Sequence, residues 1–165
     1  VVYGVEVTKA VGSQFDVKVD AGNAAAQDEV IIANIGNFHA LAFHLAGQTI
    51  RGLFEHHTGE VQPAQFDQFL NALARGTLTN ADIFYSQGHG ALILDPTPAA
   101  APLLATTGPR QQFVQQWSLS DITPYRAVPH GAMMLTGCFG LLRAVAAHLP
   151  AFRTEIERGL GAAAM

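Results

Sequence analysis

Cysteine is almost missing from this chain: Cys138 is the only one among 165 residues, so no disulfide can close within it. A lone thiol suits a reducing compartment, and a cytoplasmic location is expected. Positive charge is scarce as well. Lys9 and Lys18 are the only lysines, the nine basic residues are scattered, and the net charge is −4. Without a basic stripe to neutralise phosphates, nucleic acid is not an expected partner. Long apolar runs are lacking too. The longest, Gly131 to Leu149, is interrupted by Arg143 and carries His148, so it reads as a core helix and no membrane partner is expected. The opening VVYGVEVTKA has no basic segment leading into an apolar core, and no secretory signal is expected.

Charged residues make up only 13% and apolar residues 49% of the chain, the reverse of what disorder requires. The length suits one domain with a substantial core. Residues 1–29 read as an N-terminal strand and linker, with Phe15, Val17 and Val19 alternating against Asp16, Lys18 and Asp20. The abrupt strand-like start suggests the remnant of a missing first domain, so residues 30–165 are expected to form the domain proper.

The stretch Val30 to Gly59 organises that domain. Val30 to Ala33 is a short continuous apolar run, as in a strand buried on both faces. Phe38 to Leu45 and Thr49 to His56 follow as β-rich segments joined by short turns, giving an antiparallel meander. The third strand runs parallel to the first, so the turn Asn34 to His39 and the segment Glu55 to Gly59 should share one edge. Pro63 then opens a helix with Phe66, Phe69, Leu70 and Leu73 on one face, closed at Arg75-Gly76. Thr79 to Asp82 resembles a capping box. Gly88-His89-Gly90 is a turn, Leu103 to Ala105 a strand, Gln111 to Trp117 a short helix and Tyr125 to Val128 a further strand. Ala132 to Leu149 and Ala151 to Leu160 are the last helices. A strand that returns to its sheet after a helix is normally parallel to its predecessor. The pattern predicts an α/β domain with a ribonuclease-H-like mixed five-stranded sheet, a three-strand meander plus two parallel strands, with helices on both faces.

Ligands gather outside the carboxyl ends of strands in such sheets. Asn34, Gly36, Asn37 and His39 in the first turn, Gly108 and Arg110 in a Thr-Gly-Pro-Arg turn, and His130-Gly131 before the long helix are therefore candidate ligand-binding residues. Glycines let backbone N–H groups approach an anion, a helix N-terminus adds positive potential, and Arg110 offers a bidentate fork. Phosphate is the natural anion. The first turn equally reads as a hairpin with left-handed asparagines, and Thr-Gly-Pro-Arg as an ordinary helix start. Glu55, His56 and His57 are candidate catalytic residues where the third strand runs out. With seven histidines in the chain, a divalent metal site is a second idea. His56 and His57 point to opposite faces of a strand, so one of them, with Glu55, His39, His89 or His130, would complete a set of nitrogen and oxygen ligands. Glu55, His56 and His89 are the expected metal ligands. His44 and His148 are expected on the surface, and Cys138, between Gly137 and Gly140, in packed helix core.

NIGNFHALAF, EHHTG, GHGA, TGPRQ and PHGAMMLTGCFGLLRA together resemble a prokaryotic family of unknown function labelled "putative pyruvate formate-lyase activating enzyme", grouped with the actin-like ATPases and sugar kinases. The likeness spans roughly residues 20–149. A radical activase needs a Cys-x3-Cys-x2-Cys motif, which one cysteine cannot supply. By the wider likeness, Asn34 to His39 occupies the phosphate turn, Thr106 to Arg110 the adenosine turn, and Gly131 to Gly140 the closing helix. Asn34 replaces the usual acidic residue and Pro109 the second glycine of the adenosine turn, changes that weaken hydrolysis more than binding. The resemblance implies ATP or another phosphate-containing ligand, and a partner that is the missing N-terminal domain or a second copy. The expectation is a nucleotide- or phosphate-binding domain, half of a two-domain enzyme. The alternatives are a His/Glu metal-dependent hydrolase or lyase and a non-catalytic docking domain.

Overall fold

The computed structural model describes residues 29–47, 49–99, 102–114, 124–127 and 133–162. The expected N-terminal strand, the turn at His130-Gly131 and the end of the helix at Trp117 lie outside them. The chain divides into two compact units, residues 21–126 and residues 1–20 with 127–165.

The first unit is built on a six-stranded mixed sheet in the order β4-β3-β2-β1-β5-β6. The strands are β1 (Glu29–Ile35), β2 (His39–Ala46), β3 (Thr49–His57), β4 (Gly90–Ile93), β5 (Leu103–Thr107) and β6 (Tyr125–Arg126). β1, β2 and β3 form the expected antiparallel meander, and β5 and β6 extend it in parallel from β1. The sheet has one strand more than expected. The extra strand is β4, which follows the Gly88-His89-Gly90 turn, pairs antiparallel with β3 from Gly52 opposite Ile93 to Glu55 opposite Gly90, and forms the edge. Four residues are too few for alternation to declare itself, and the neighbouring glycines read as loop.

Period-two alternation sets the core. Ile31, Ala33 and Ile35 of β1, Ala40 and Ala42 of β2, Phe54 of β3 and Leu104 of β5 lie in one buried cluster. Against them packs α1 (Pro63–Ala74), whose buried Phe66, Phe69, Leu70 and Leu73 recur at helical spacing. Phe54 is the centre of the contact, edge-on to Phe66 at 5.6 Å and to Phe69 at 6.0 Å between ring centroids. Pro at the first turn starts α1. Gly76, with φ +68°, ends it, because a Cβ there would lie 2.2 Å from the Pro96 carbonyl oxygen. α2 (Asn80–Phe84) is a single capped turn. Thr79 Oγ1 accepts from the Asp82 N–H at 3.2 Å, while the Asp82 carboxylate accepts from the Thr79 hydroxyl at 2.6 Å and from the Thr79 N–H at 2.8 Å; the hydroxyl first, then the N–H, hold that carboxyl below its ordinary pKa.

His44 is not a surface residue. It stands opposite Gly52, where the partner strand offers no side chain, and is buried on the face that α1 covers. Its ring bonds the Leu73 backbone, its Nε2 has no partner, and burial lowers its pKa.

The second unit contains α3 (Thr136–His148), preceded by a 3-10 turn at Met133–Leu135, and α4 (Pro150–Ala162). Arg153 ties the two helices by donating from Nε to the Ala146 carbonyl at 3.0 Å. Cys138 is exposed rather than packed, since it lies roughly 200° around the helix from buried Gly140. No helix among the described residues is long and apolar enough to cross a membrane.

Candidate functional site at one end of the sheet

Strand register decides which polar turns meet. Asn34, at the carboxyl end of β1, pairs with Leu41 on one side and with Thr107 of β5 on the other. His39, which opens β2, pairs with His57, which closes β3, and Glu55 pairs with Gly90, which opens β4. The turns Asn34 to His39, Glu55 to Gly59, Gly88 to Gly90 and Thr106 to Arg110 therefore all lie at one end of this unit's sheet.

Two of these turns interlock. Gly108 has φ +96°, and a Cβ on it would lie 2.4 Å from the Ile35 carbonyl oxygen and 2.7 Å from Asn34 Oδ1. The Arg110 N–H donates to that Ile35 carbonyl at 3.0 Å, and the Arg110 guanidinium lies over the Phe113 ring at 5.3 Å. The first turn is a tight hairpin, in which the Gly36 N–H donates to the His39 carbonyl at 2.8 Å around Asn37 and Phe38. Neither loop residue adopts the left-handed backbone expected of the asparagines; among the described non-glycine residues only Gln87 does, with φ 72°. Several turn amides are thus already paired, those of Gly36, Thr58, Arg110 and Gln111 included.

The densest chemistry lies on the β2-β3-β4 side of the end. His39 Nδ1 and Glu55 Oε1 are 2.9 Å apart, a diagonal contact between neighbouring strands. A carboxylate can only accept, so this contact assigns the imidazole proton to Nδ1 and leaves the lone pair on Nε2. The His57 ring meets His39 edge-on at 4.9 Å, and the His89 ring lies 4.4 Å from His57 and 5.1 Å from His39. One nitrogen from each of the three falls within 4.8 Å of the others. Beside them opens a cavity of about 660 Å³, lined by Asn37, Phe38, His39, His57, Gly59, Glu60 and Gln87.

His56, an expected ligand, is not in this group. As its position next to His57 on a strand requires, it points to the opposite face. It is fully buried and stacked on Phe69 at 5.8 Å. Its Nδ1 lies 3.0 Å from the His57 carbonyl, and its Nε2 lies 3.1 Å from Ser86 Oγ. Both nitrogens have structural partners. The Glu55 side chain touches His39 and its backbone carbonyl accepts from the His89 N–H, while the imidazole that joins His39 and His89 is that of His57, not His56. Asn34, Gly36, Asn37, Gly108 and Arg110 share the same end of the sheet. Glu60 and Gln87 were missed; Gln87 would have required knowing its left-handed backbone.

Residues 2–113 match the family model described as "Putative pyruvate format-lyase activating enzyme (DUF1786)". The chain belongs to that family. The matched span holds the whole polar end of the sheet, from Asn34 to Arg110, and excludes α3 and α4. No curated protein and no solved structure matches the chain. The family description names an activase, but Cys138 alone cannot supply the three thiolates that such a cluster motif needs.

Proposed function

We propose that this end of the sheet binds a small phosphate-bearing ligand, ATP or a related nucleotide, in a ribonuclease-H-like domain of the actin-like ATPase kind that works with a second domain or a second copy. The observation that supports this reading is the strand order. A meander β3-β2-β1 continued in parallel by β5 and β6 makes β1 the point where the sheet changes direction, with polar turns at the carboxyl ends of β1 and β5. Crevices outside such a point are where open α/β sheets bind ligands. With several turn amides already paired, side chains carry more of the recognition. Arg110 and the amide of Asn34 are the groups chosen, and Asn34 in place of a carboxylate favours binding over hydrolysis.

A thermal-shift titration of the 165-residue chain with ATP and magnesium tests this. Ligand at about a hundred times its Kd adds roughly 2.7 kcal/mol, which raises the midpoint by roughly 5–10 °C for a chain of this size. Arg110→Ala should remove most of the rise. No stabilisation at millimolar nucleotide sinks the proposal. A second reading, a metal-dependent hydrolase or lyase, is favoured by the meeting of three imidazoles, two of which, His39 and His57, line the cavity.

A further inference from the structure

We infer that His39, His57 and His89 form a site for one divalent transition-metal ion, held by three imidazole nitrogens with its remaining position open to the adjoining cavity. This does not depend on the phosphate reading, because it needs neither Arg110 nor the β1-β5 turns.

The three rings come from separate pieces of chain that the sheet forces together. His39 and His57 are directly paired across β2 and β3, so their side chains leave the same face side by side. His89 comes to the same place by a different route. Continued alternation along β4 would send it to the face of His56, but Gly90, with φ +138°, breaks the alternation, and the His89 N–H is pinned to the Glu55 carbonyl at 2.9 Å. The loop holding His89 is tightly determined. Gln87 carries a left-handed φ, a conformation that costs about 1 kcal/mol or more and persists only where the surroundings impose it. Gly88 fits against Ile83 and His56 with no room for a Cβ. Strain gathered beside a cavity and a cluster of ligating side chains is what a functional loop shows.

The chemistry of the cluster is consistent. All three donors are imidazoles, which select zinc, iron, cobalt, nickel or copper over magnesium and calcium. Glu55 accepts from His39 Nδ1, so Nε2 is the ligating atom of that ring, and a carboxylate behind a ligating histidine is the usual outer-shell arrangement. Glu55 is therefore a positioning residue. A tetrahedral ion with bonds of about 2.0–2.1 Å holds its donors roughly 3.3 Å apart. One nitrogen of each ring lies within 4.8 Å of the others, and rings that are exposed or half-buried have room to turn toward that spacing. Three imidazoles leave a fourth position unfilled, and the cavity that His39 and His57 line is also lined by Asn37, Glu60 and Gln87. Such an open position lets a metal carry water or substrate.

The test uses untagged, chelator-stripped 165-residue chain titrated with cobalt(II) alone, followed by displacement with zinc. One cobalt per chain, with the visible bands of four- or five-coordination, is the expected result. His39→Ala, His57→Ala and His89→Ala should each weaken binding by at least about a hundredfold, exceeding the roughly 10–100-fold loss expected for Glu55→Gln. His148→Ala, on exposed helix in the other unit, should change nothing. Binding should weaken on acidification, since each ligand must release its proton. Circular dichroism melts of each variant separate lost ligation from lost folding. Substoichiometric uptake by the parent chain, or uptake unchanged in two of the three histidine variants, overturns the inference. Loss of nucleotide stabilisation alone would leave it standing.

Discussion

Gly88→Ala adds one methyl group at a crowded point of the polar end, and its cost can be worked from the surroundings. The new Cβ would lie 2.5 Å from Ile83 Cγ2, 2.7 Å from His56 Cδ2 and 3.0 Å from the Ile83 carbonyl oxygen. None of these is the loose end of a flexible chain. Ile83 is fully buried in the core cluster, and the His56 ring is held through both nitrogens, to the His57 carbonyl and to Ser86. Backbone conformation is not the obstacle, because Gly88 does not have positive φ. The clash must be relieved either by overpacking, at about 1–3 kcal/mol, or by rotating His56 and losing a buried hydrogen bond, at about 1–3 kcal/mol. With a urea slope of about 2 kcal/mol per molar, the midpoint should fall by roughly 0.5–1.5 M. Because the loop would move with its glycine, the amide of His89 should exchange faster and cobalt affinity should drop. Gly59→Ala, at the same end, is the control: nothing lies within 4 Å of its Cβ, and the change should be neutral or slightly stabilising. A Gly88→Ala chain with the parent's urea midpoint and the parent's His89 exchange rate would refute this account of the loop.

Phe54→Ala, which empties the space between Phe66 and Phe69, should destabilise by about 3–5 kcal/mol, measured by urea unfolding. Thr79→Ala removes both side-chain bonds of the α2 cap and should cost about 1 kcal/mol. The Asp82 carboxyl has a lowered folded-state pKa, so its contribution is complete above its ordinary pKa of 3.8 and is lost as pH falls further; the Thr79→Ala chain should show less of that acid sensitivity. His44 has a folded-state pKa below 6.5, chiefly through burial. Above that pH the ring is neutral folded or unfolded; as pH falls through it the unfolded chain takes up the proton first, and stability declines. Urea midpoints measured from pH 7.5 to 5 should carry this decline in the parent chain and lose it in His44→Leu.

Much of the fold was legible because it rests on local periodicity. Alternation in β2 and β3, the apolar run of β1, and the 3.6-residue spacing of Phe66, Phe69, Leu70 and Leu73 each mark the face to be buried, and a meander with parallel returns satisfies them. The prediction that the first turn and the end of the third strand share an edge follows from strand direction alone, and His39 opposite His57 bears it out. β4 was not legible, since four residues between glycine-rich turns carry no periodic signal. Nor was the burial of His44, which depends on a glycine in the neighbouring strand.

The chain by itself determined that the histidines next to one another in sequence part to opposite faces, because side chains on a strand alternate. Tertiary structure decided which of them faces the cavity: α1 packs on the side of Phe54 and His56, leaving His57 on the open side with His39 and Glu55. It also decided that His89, more than thirty positions along the chain, joins them, through left-handed Gln87 and through Gly90, whose φ of +138° breaks the alternation. Patterns of two and 3.6 residues report which face a side chain takes within its own element. They carry no information about where a loop between elements returns, and that return is what assembles the three imidazoles.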